Sequence, residues 1–296
     1  MKIGQIVLGQ LLAVAIALVS KSSEKMQKIG PFWIFLQDSA RIAAIFLFST
    51  IIIFANKGQQ KKGTVPLYNF IICAVTDILG NAFLIYGYSQ TASYFVVFIA
   101  QLMYPMMIIT TKILFNRNPE MSIFKIVAFI VLVVSCFVVN KYNHNEPLEN
   151  ILKGLIFVFL SNSFFIANIV LQSKIVKVIG PFPYLKKVNI VSFVLSPMIN
   201  FVVNYRNLPK SVDEVLSFYK LRYHWIGLYT ICISAFYILG TFYIEWNGPV
   251  PFNIATLPFS AYFGLINIYE TFEIYVLAAY IICITASIYL LYKELR

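Results

Sequence analysis

Ten apolar runs, most of them about 20 residues long, are joined by short polar loops and fill this chain of 296 residues almost completely. A helix of that length crosses the hydrocarbon core of a bilayer, which is about 30 Å thick. The alternating segments of a membrane β-barrel are absent, so the sequence predicts an all-α membrane protein. The ten runs cover approximately residues 3–19, 31–54, 65–87, 94–115, 123–140, 151–170, 181–203, 223–244, 250–268 and 272–292.

Composition supports a membrane protein. Hydrophobic residues make up 60% of the chain and charged residues only 12%, about half of the charged share that is usual in soluble domains. The net charge of +11 comes mainly from Lys and Arg in the short loops, which is typical of charges that set membrane topology and argues against a nucleic-acid partner. More of them lie in loops on the side of the two termini, so both termini are expected in the cytosol.

A repeated tetrapeptide divides the chain into halves. Ile-Gly-Pro-Phe occurs at residues 29–32 and again at 179–182, before an apolar run in each case. Gly-Pro before a helix is also common helix-start chemistry, so the tetrapeptide by itself has a second interpretation. Two weaker echoes follow in the same order: Ile-Leu-Gly at 78–80 and 238–240, then Ile-Ala-X-Leu at 99–102 and 254–257.

An odd number of runs, five, separates the two copies, so they begin on opposite membrane faces. The sequence therefore predicts ten transmembrane helices in a five-plus-five inverted repeat within one integral membrane domain. The first five-helix repeat would span residues 1–145 and the second, inverted repeat residues 146–296. Inverted repeats of this kind are the framework of many alternating-access transporters.

Among the charged residues of the apolar runs, Asp38, Arg41 and Asp77 are the ones that could carry chemistry. Asp38 and Arg41 lie three residues apart on one helical face, which predicts an intramembrane charge pair or exposure to a polar cavity. Asp77 lies near the middle of its run, with Asn81 one helical turn later. An intramembrane carboxylate predicts a substrate or proton site, and a hydrogen bond between helices is the alternative.

The fourth and ninth runs are each interrupted by a proline, Pro105 and Pro258, just after polar residues. Such breaks free backbone carbonyls and often face the substrate site, so we expect both prolines to permit gating. The fifth and tenth runs are nearly apolar all round, so their helices should face lipid or a partner subunit, the latter giving a homodimer. The predicted substrate-binding residues are Asp77, Asn81, Gln101 and Tyr104 in the first half, with Asn253 and Thr256 in the second.

Several short motifs resemble a known superfamily. They are Asp77-Ile-Leu-Gly-Asn81, Gln101-Leu-Met-Tyr-Pro105 and Thr111-Lys-Ile-Leu-Phe115. In this order they resemble the third and fourth helices of the drug/metabolite transporter superfamily, in particular solute-carrier-35 proteins, which include nucleotide-sugar transporters, and the chloroquine-resistance-transporter branch. The resemblance implies a eukaryotic multi-pass protein of an endomembrane (Golgi, ER or vacuole) or of the plasma membrane. The GALNK motif of GDP-mannose transporters is absent, which argues against that substrate.

The sequence thus favours a secondary transporter that moves a small polar organic solute by alternating access. A nucleotide-sugar antiporter of the secretory pathway is the first alternative. A membrane-embedded lipid-handling enzyme is the second, and it would need clustered carboxylates or histidines at one membrane face. Glu270 and Glu273 are the only close acidic pair beside a run, and helix capping explains them. No catalytic residue, metal site or cofactor is expected, because no phosphate-loop, metal or nucleophile motif is present.

Overall fold

The computed structural model describes residues 2–27, 32–55, 63–91, 96, 99–115, 123–140, 148–204, 211–266 and 274–295. These residues contain helices and no strand, so the predicted all-α class is confirmed for them. The helices are α1 Lys2–Gln27, α2 Phe32–Ala55, α3 Leu67–Gln90, α4 Met103–Phe115, α5 Ile123–Asn140, α6 Leu148–Ile179, α7 Pro181–Asn204, α8 Val212–Asn247, α9 Pro249–Thr256, α10 Phe259–Ile266 and α11 Ile274–Glu294.

Five of the described helices, α1, α3, α6, α8 and α11, contain stretches that are long and apolar enough to cross a membrane. A shorter apolar stretch, Arg41–Ile51, lies in α2. With 32 and 36 residues, α6 and α8 are about 48 and 54 Å long, so both exceed the thickness of a bilayer core. Length and composition are therefore compatible with a membrane protein.

Two Gly-Pro dipeptides join consecutive helices. Gly180 and Gly248 both have φ = 87°, a left-handed conformation that glycine adopts readily. Each N–H donates to the carbonyl four residues earlier, at 2.8 Å for Gly180 and 2.9 Å for Gly248, which closes the preceding helix. Pro181 and Pro249 then begin the next helix, where a missing N–H does no harm. The second Ile-Gly-Pro-Phe is thus a helix junction; residues 29–31 of the first copy lie outside the described residues.

Helices that are distant in sequence pack in pairs: α1 against α8, α3 against α6, α2 against α7, and α5 against α11. The short helices α9 and α10 pack against α1, and α9 also contacts α4. One apolar core lies where α1, α4, α6, α8, α9 and α11 meet, and a second lies between α2, α3, α6 and α7. The space between these packed pairs holds the cavity described below.

An ion pair joins the ends of α5 and α11, where Lys125 Nζ lies 2.5 Å from Glu294 Oε2. Away from this pair, both helices carry exposed apolar side chains, among them Val127 on α5 and Ile281 on α11. An apolar outer surface suits lipid or a second copy of the chain equally well. The predicted contact of these helices with lipid or with a partner subunit therefore stays a prediction.

Candidate functional site

A cavity of about 190 Å³ lies between α1, α3, α6, α8, α9 and α10 and is also lined by Ala100 and Met103. Apolar and aromatic side chains form most of its wall. Five side-chain amides interrupt this apolar surface: Asn81, Asn162, Asn168, Gln172 and Asn253. An apolar pocket with a few convergent polar groups is the usual form of a small-molecule site.

The only charged side chain among the lining residues is that of Asp77, and it is held by three groups from other helices. Arg41 Nη1 lies 2.9 Å from Asp77 Oδ2. The Tyr237 hydroxyl donates to Asp77 Oδ1 at 2.5 Å, and Asn168 Nδ2 donates to the same oxygen at 3.4 Å. The sequence predicts that Arg41 pairs with Asp38 or faces a polar cavity. In the structure Arg41 contacts Asp77, 36 residues away; the Asp38 side chain lies outside the described residues.

Tyr237 and Asn81 close the network around this ion pair. The guanidinium carbon of Arg41 lies 4.5 Å from the centroid of the Tyr237 ring, which gives a cation–π contact. Asn81 Nδ2 donates to the Asp77 carbonyl at 2.8 Å and to the Tyr237 hydroxyl at 3.3 Å. A buried ion pair is stable only when additional hydrogen bonds satisfy its charged groups, and these contacts supply such bonds to the Asp77–Arg41 pair beside an apolar cavity.

The Ile-Leu-Gly echo marks matching positions on the cavity wall. Asp77 and Tyr237 each precede one copy of the triplet, and Asn81 and Thr241 each follow one copy. All four residues line the cavity. The Thr241 hydroxyl accepts a hydrogen bond from Gln172 Nε2 at 2.9 Å. The echo was therefore the signal that could have identified Tyr237 and Thr241, which the sequence analysis missed.

The glycines of the two triplets allow close approach of aromatic rings. A Cβ on Gly80 would lie 2.9 Å from a ring carbon of Phe165, and one on Gly240 would lie 2.9 Å from a ring carbon of Phe252. Both rings line the cavity. Because real Cβ contacts essentially never fall under 3.0 Å, any side chain at either glycine would displace a ring of the cavity wall.

Both proline-containing runs are interrupted at corresponding positions of the Ile-Ala-X-Leu echo. Leu102 N–H donates to Ile99 O at 3.0 Å, and Leu257 N–H donates to Ile254 O at 3.2 Å. These bonds span three residues rather than four, so the backbone tightens at the same point of each run. Pro258 directly follows the second break and, being a proline, cannot donate a backbone hydrogen bond.

Gln101 connects the two breaks instead of lining the cavity. Its Nε2 donates to the Leu257 carbonyl at 3.1 Å and to the Ser260 hydroxyl at 3.3 Å. Tyr104 is 2% exposed in the apolar core, where its ring centroid lies 5.3 Å from that of Phe129. Neither residue is part of the described cavity wall. The sequence predicts both as binding residues, because the residues around a helix break do not by themselves indicate which side of the helix faces the cavity.

Four of the six predicted binding residues line the cavity, namely Asp77, Asn81, Asn253 and Thr256. The Thr256 hydroxyl donates to the backbone carbonyl of Asn253 at 2.9 Å. This bond does not involve the side-chain amide of Asn253. Asn162, Asn168 and Gln172 of α6 also line the cavity and had no sequence signal beyond being polar residues in an apolar run. Within the described ranges, no three His, Cys, Asp or Glu side chains lie close enough to hold a metal ion.

No family model and no curated protein matches this chain. Among solved structures, 27 chains match it. One of them, the crystal structure of a protein that is 12% identical, covers 97% of this chain and 94% of its own length with a TM-score of 0.66. At that identity the likeness shows a common fold and nothing about substrate or activity.

Proposed function

We propose that this protein is a secondary transporter that moves a small polar organic solute by alternating access, with the cavity as its solute site. The observation that carries the proposal is that corresponding residues of the two predicted halves, Asp77 and Tyr237, meet at the cavity wall. Solute sites of such transporters lie between repeats, near broken helices. In this proposal the protein is a transporter without a catalytic role or a cofactor.

The packing pattern supports a five-plus-five inverted repeat of ten membrane-spanning segments. Let α1, α2, α3 and α5 correspond to α6, α7, α8 and α11, and let α4 correspond to the broken pair α9–α10. Under this exchange the α1–α8 contact becomes the α6–α3 contact, and the α2–α7, α5–α11 and α4–α9 contacts map onto themselves. Two similar halves related by a two-fold axis would have this symmetry of contacts.

The two breaks supply places where local opening can occur. Each break carries the same three-residue hydrogen bond, and Gln101 connects the first to the second. In this proposal Pro105 and Pro258 keep these segments from forming continuous helices, because proline lacks the N–H of a regular helical bond. The segments then open the cavity to one side of the membrane at a time.

The membrane setting is part of the same proposal. We place both termini in the cytosol and the protein in a eukaryotic endomembrane or the plasma membrane, as a relative of the drug/metabolite transporter superfamily. A homodimer through α5 and α11 belongs to the proposal as well. The nucleotide-sugar alternative has less support, because no Lys or Arg is among the described lining residues to bind a diphosphate. For a lipid-handling enzyme, the pair Glu270 and Glu273 lies outside the described residues.

Uptake into proteoliposomes tests the proposal. A thermal-shift screen of the purified protein against nucleotide sugars, amines, amides, thiols and vitamins selects solutes, and radiolabelled uptake of each selected solute is then measured. Ala100→Trp places a large ring in the cavity, whereas Ala167→Trp places the same ring at an exposed position of α6. We expect Ala100→Trp to abolish uptake and Ala167→Trp to preserve most of it. Equal uptake by both variants, or uptake of no solute by the unmodified protein, would exclude the proposed function.

A further inference from the structure

We infer that the solute held in the cavity is an uncharged molecule that donates N–H or O–H hydrogen bonds to the side-chain oxygens of Asn168 and Asn253. The inference rests on the proposed function and adds the chemical class of the solute. It follows from how the protein uses the two ends of its cavity amides, and from how it compensates the charge of Asp77.

The nitrogen ends of four cavity amides are used by the protein itself. Asn162 Nδ2 donates to a backbone carbonyl at 2.9 Å, and Asn168 Nδ2 faces the Asp77 carboxylate. Asn81 Nδ2 donates to the Asp77 carbonyl, and Gln172 Nε2 donates to a threonine hydroxyl. Carbonyl and carboxylate oxygens only accept hydrogen bonds, so in the three Asn side chains it is the nitrogen that faces these partners. The nitrogen donors of these four amides are therefore engaged within the protein.

Two oxygen ends have no such partner. Asn168 Oδ1 and Asn253 Oδ1 are buried, and within the described residues neither accepts a hydrogen bond. Asn168 is 6% exposed and Asn253 is 1% exposed, and both line the cavity. A buried acceptor without a partner is unfavourable, so a solute that supplies donors at these two positions gains more than one that does not.

Charge complementarity points to an uncharged solute. The carboxylate of Asp77 faces Arg41, Tyr237 and Asn168, so a cationic solute would compete with a guanidinium that is already in place. An anionic solute would find no Lys or Arg among the described lining residues. Either charge would lose its hydration in an apolar cavity without a compensating partner.

The remaining wall suits a compact apolar body. Phe165, Phe236 and Phe252 line the cavity together with aliphatic side chains such as Leu84 and Ile169. The volume of about 190 Å³ is below the range of about 300–1,000 Å³ that is usual for drug-sized ligands. A single small ring or branched chain that bears a primary amide or hydroxyl group fits both properties.

Matched probes separate these chemical features. On each of three bodies, phenyl, cyclohexyl and isobutyl, four head groups are compared: a primary acetamide, the N,N-dimethyl acetamide, the acetate and the ethylammonium. Thermal stabilisation and uptake are measured with the full-length protein. We expect the primary amides to bind best, with the dimethyl amides at least about tenfold weaker because they lack donors. Preference for the acetates, the ammonium compounds or the dimethyl amides would overturn the inference, and so would failure of all twelve to bind.

Asn253→Leu tests the oxygen directly. Because the substitution removes a buried acceptor that has no partner, the unliganded variant should be as stable as the original protein or more so, and the primary amides should no longer stabilise it. The control is Asn189→Leu on α7, which removes an amide that donates to the Leu185 carbonyl at 2.6 Å away from the cavity. This control should keep amide binding. Unchanged amide affinity in Asn253→Leu would overturn the inference.

A second variant covers the case in which Asn253→Leu does not fold. Asn253→Asp keeps the size and the acceptor but adds a negative charge, so the preference should move from the amides towards the ethylammonium compounds by at least about tenfold. An unchanged preference would overturn the inference. Failure of the transport proposal is distinguishable from these results, because it would appear as equal uptake by Ala100→Trp and Ala167→Trp or as no uptake of any solute.

Discussion

Asp77 and Tyr237, 160 residues apart in sequence, share a hydrogen bond of 2.5 Å at the cavity wall. Each residue directly precedes one copy of an Ile-Leu-Gly triplet, so the contact joins matching positions of α3 and α8. The same carboxylate is paired with Arg41 of α2. Three helices thus meet at one buried acidic group, and substitutions there affect stability and solute binding together.

Tyr237→Phe removes the hydroxyl from this network and keeps the ring beside the guanidinium. Since a hydrogen bond to a charged group contributes about 1.5–3 kcal/mol, we expect a loss of that order in the free energy of unfolding, with reduced uptake. The control is Tyr243→Phe on the same helix. The Tyr243 hydroxyl is buried and has no hydrogen-bond partner within the described residues, so its removal should not lower stability. Denaturant unfolding in detergent measures both, and equal losses would contradict the assignment.

Arg41→Met leaves the Asp77 carboxylate buried without its cation, which should destabilise the protein by about 3–5 kcal/mol. The double variant Arg41→Met, Asp77→Leu should recover a large part of that loss, because no uncompensated charge remains. Asp77→Asn alone leaves Arg41 without this carboxylate, so loss of uptake in that variant would not by itself identify a solute contact. Unfolding measurements on Arg41→Met, Asp77→Leu and the double variant give the coupling energy.

The exposed pair Glu149–Lys153 is the matched control for this cycle. Its side chains are 78% and 53% exposed, and they lie 2.6 Å apart on one turn of α6. Exposed pairs of this kind contribute about 0–1 kcal/mol, so Lys153→Met should change stability little. A coupling energy for Arg41–Asp77 as small as that of this pair would show that the buried contact is not structurally important.

Gly80→Ala and Gly240→Ala should each weaken solute binding. The added methyl group would displace Phe165 or Phe252, respectively, from the cavity wall, and overpacking of this kind typically lowers stability by about 1–3 kcal/mol. Gly227→Ala, on α8, is the control because nothing lies within 4 Å of its added Cβ. That variant should gain up to about 1 kcal/mol from helix propensity. Calorimetric titration and thermal melting of all three variants provide the comparison.

Gln101→Leu should slow transport more than it weakens binding. Gln101 does not line the described cavity but connects the two helix breaks through the Leu257 carbonyl. Loss of that bond leaves a buried carbonyl without this donor, a change that lowers stability by about 1–3 kcal/mol. Comparing the uptake rate with the solute affinity from thermal shift tests the assignment. A loss of affinity alone, with the turnover of bound solute unchanged, would place Gln101 at the solute instead.

Much of the helical framework could be read from the sequence. Apolar runs near 20 residues dictate helices, because a backbone in lipid must satisfy its hydrogen bonds within its own segment. The breaks at Leu102 and Leu257 could be anticipated from Pro105 and Pro258, since proline removes a helical donor wherever the chain folds. The predicted first run was too short: α1 extends to Gln27, because polar residues that follow an apolar run can continue a helix.

The site was only partly predictable, because it depends on which helices meet. A polar residue in an apolar run indicates a buried position, and this was enough to place Asp77, Asn81 and Asn253 at the cavity. It does not indicate the partner of that residue. Arg41 is close to Asp38 in sequence, which predicts a pair of the two or exposure to a polar cavity, yet the tertiary structure brings Asp77 within 2.9 Å of Arg41.

The sequence alone determined the class of structure, the positions of the helix breaks and the presence of buried charge, because these follow from local chemistry and from bilayer thickness. Only the tertiary structure decided that Asp77 is compensated by Arg41 and Tyr237, and that Gln101 connects two breaks instead of facing the cavity. Those outcomes depend on contacts between residues 36 to 160 positions apart. Such contacts arise from the packing of whole helices, which no local pattern encodes.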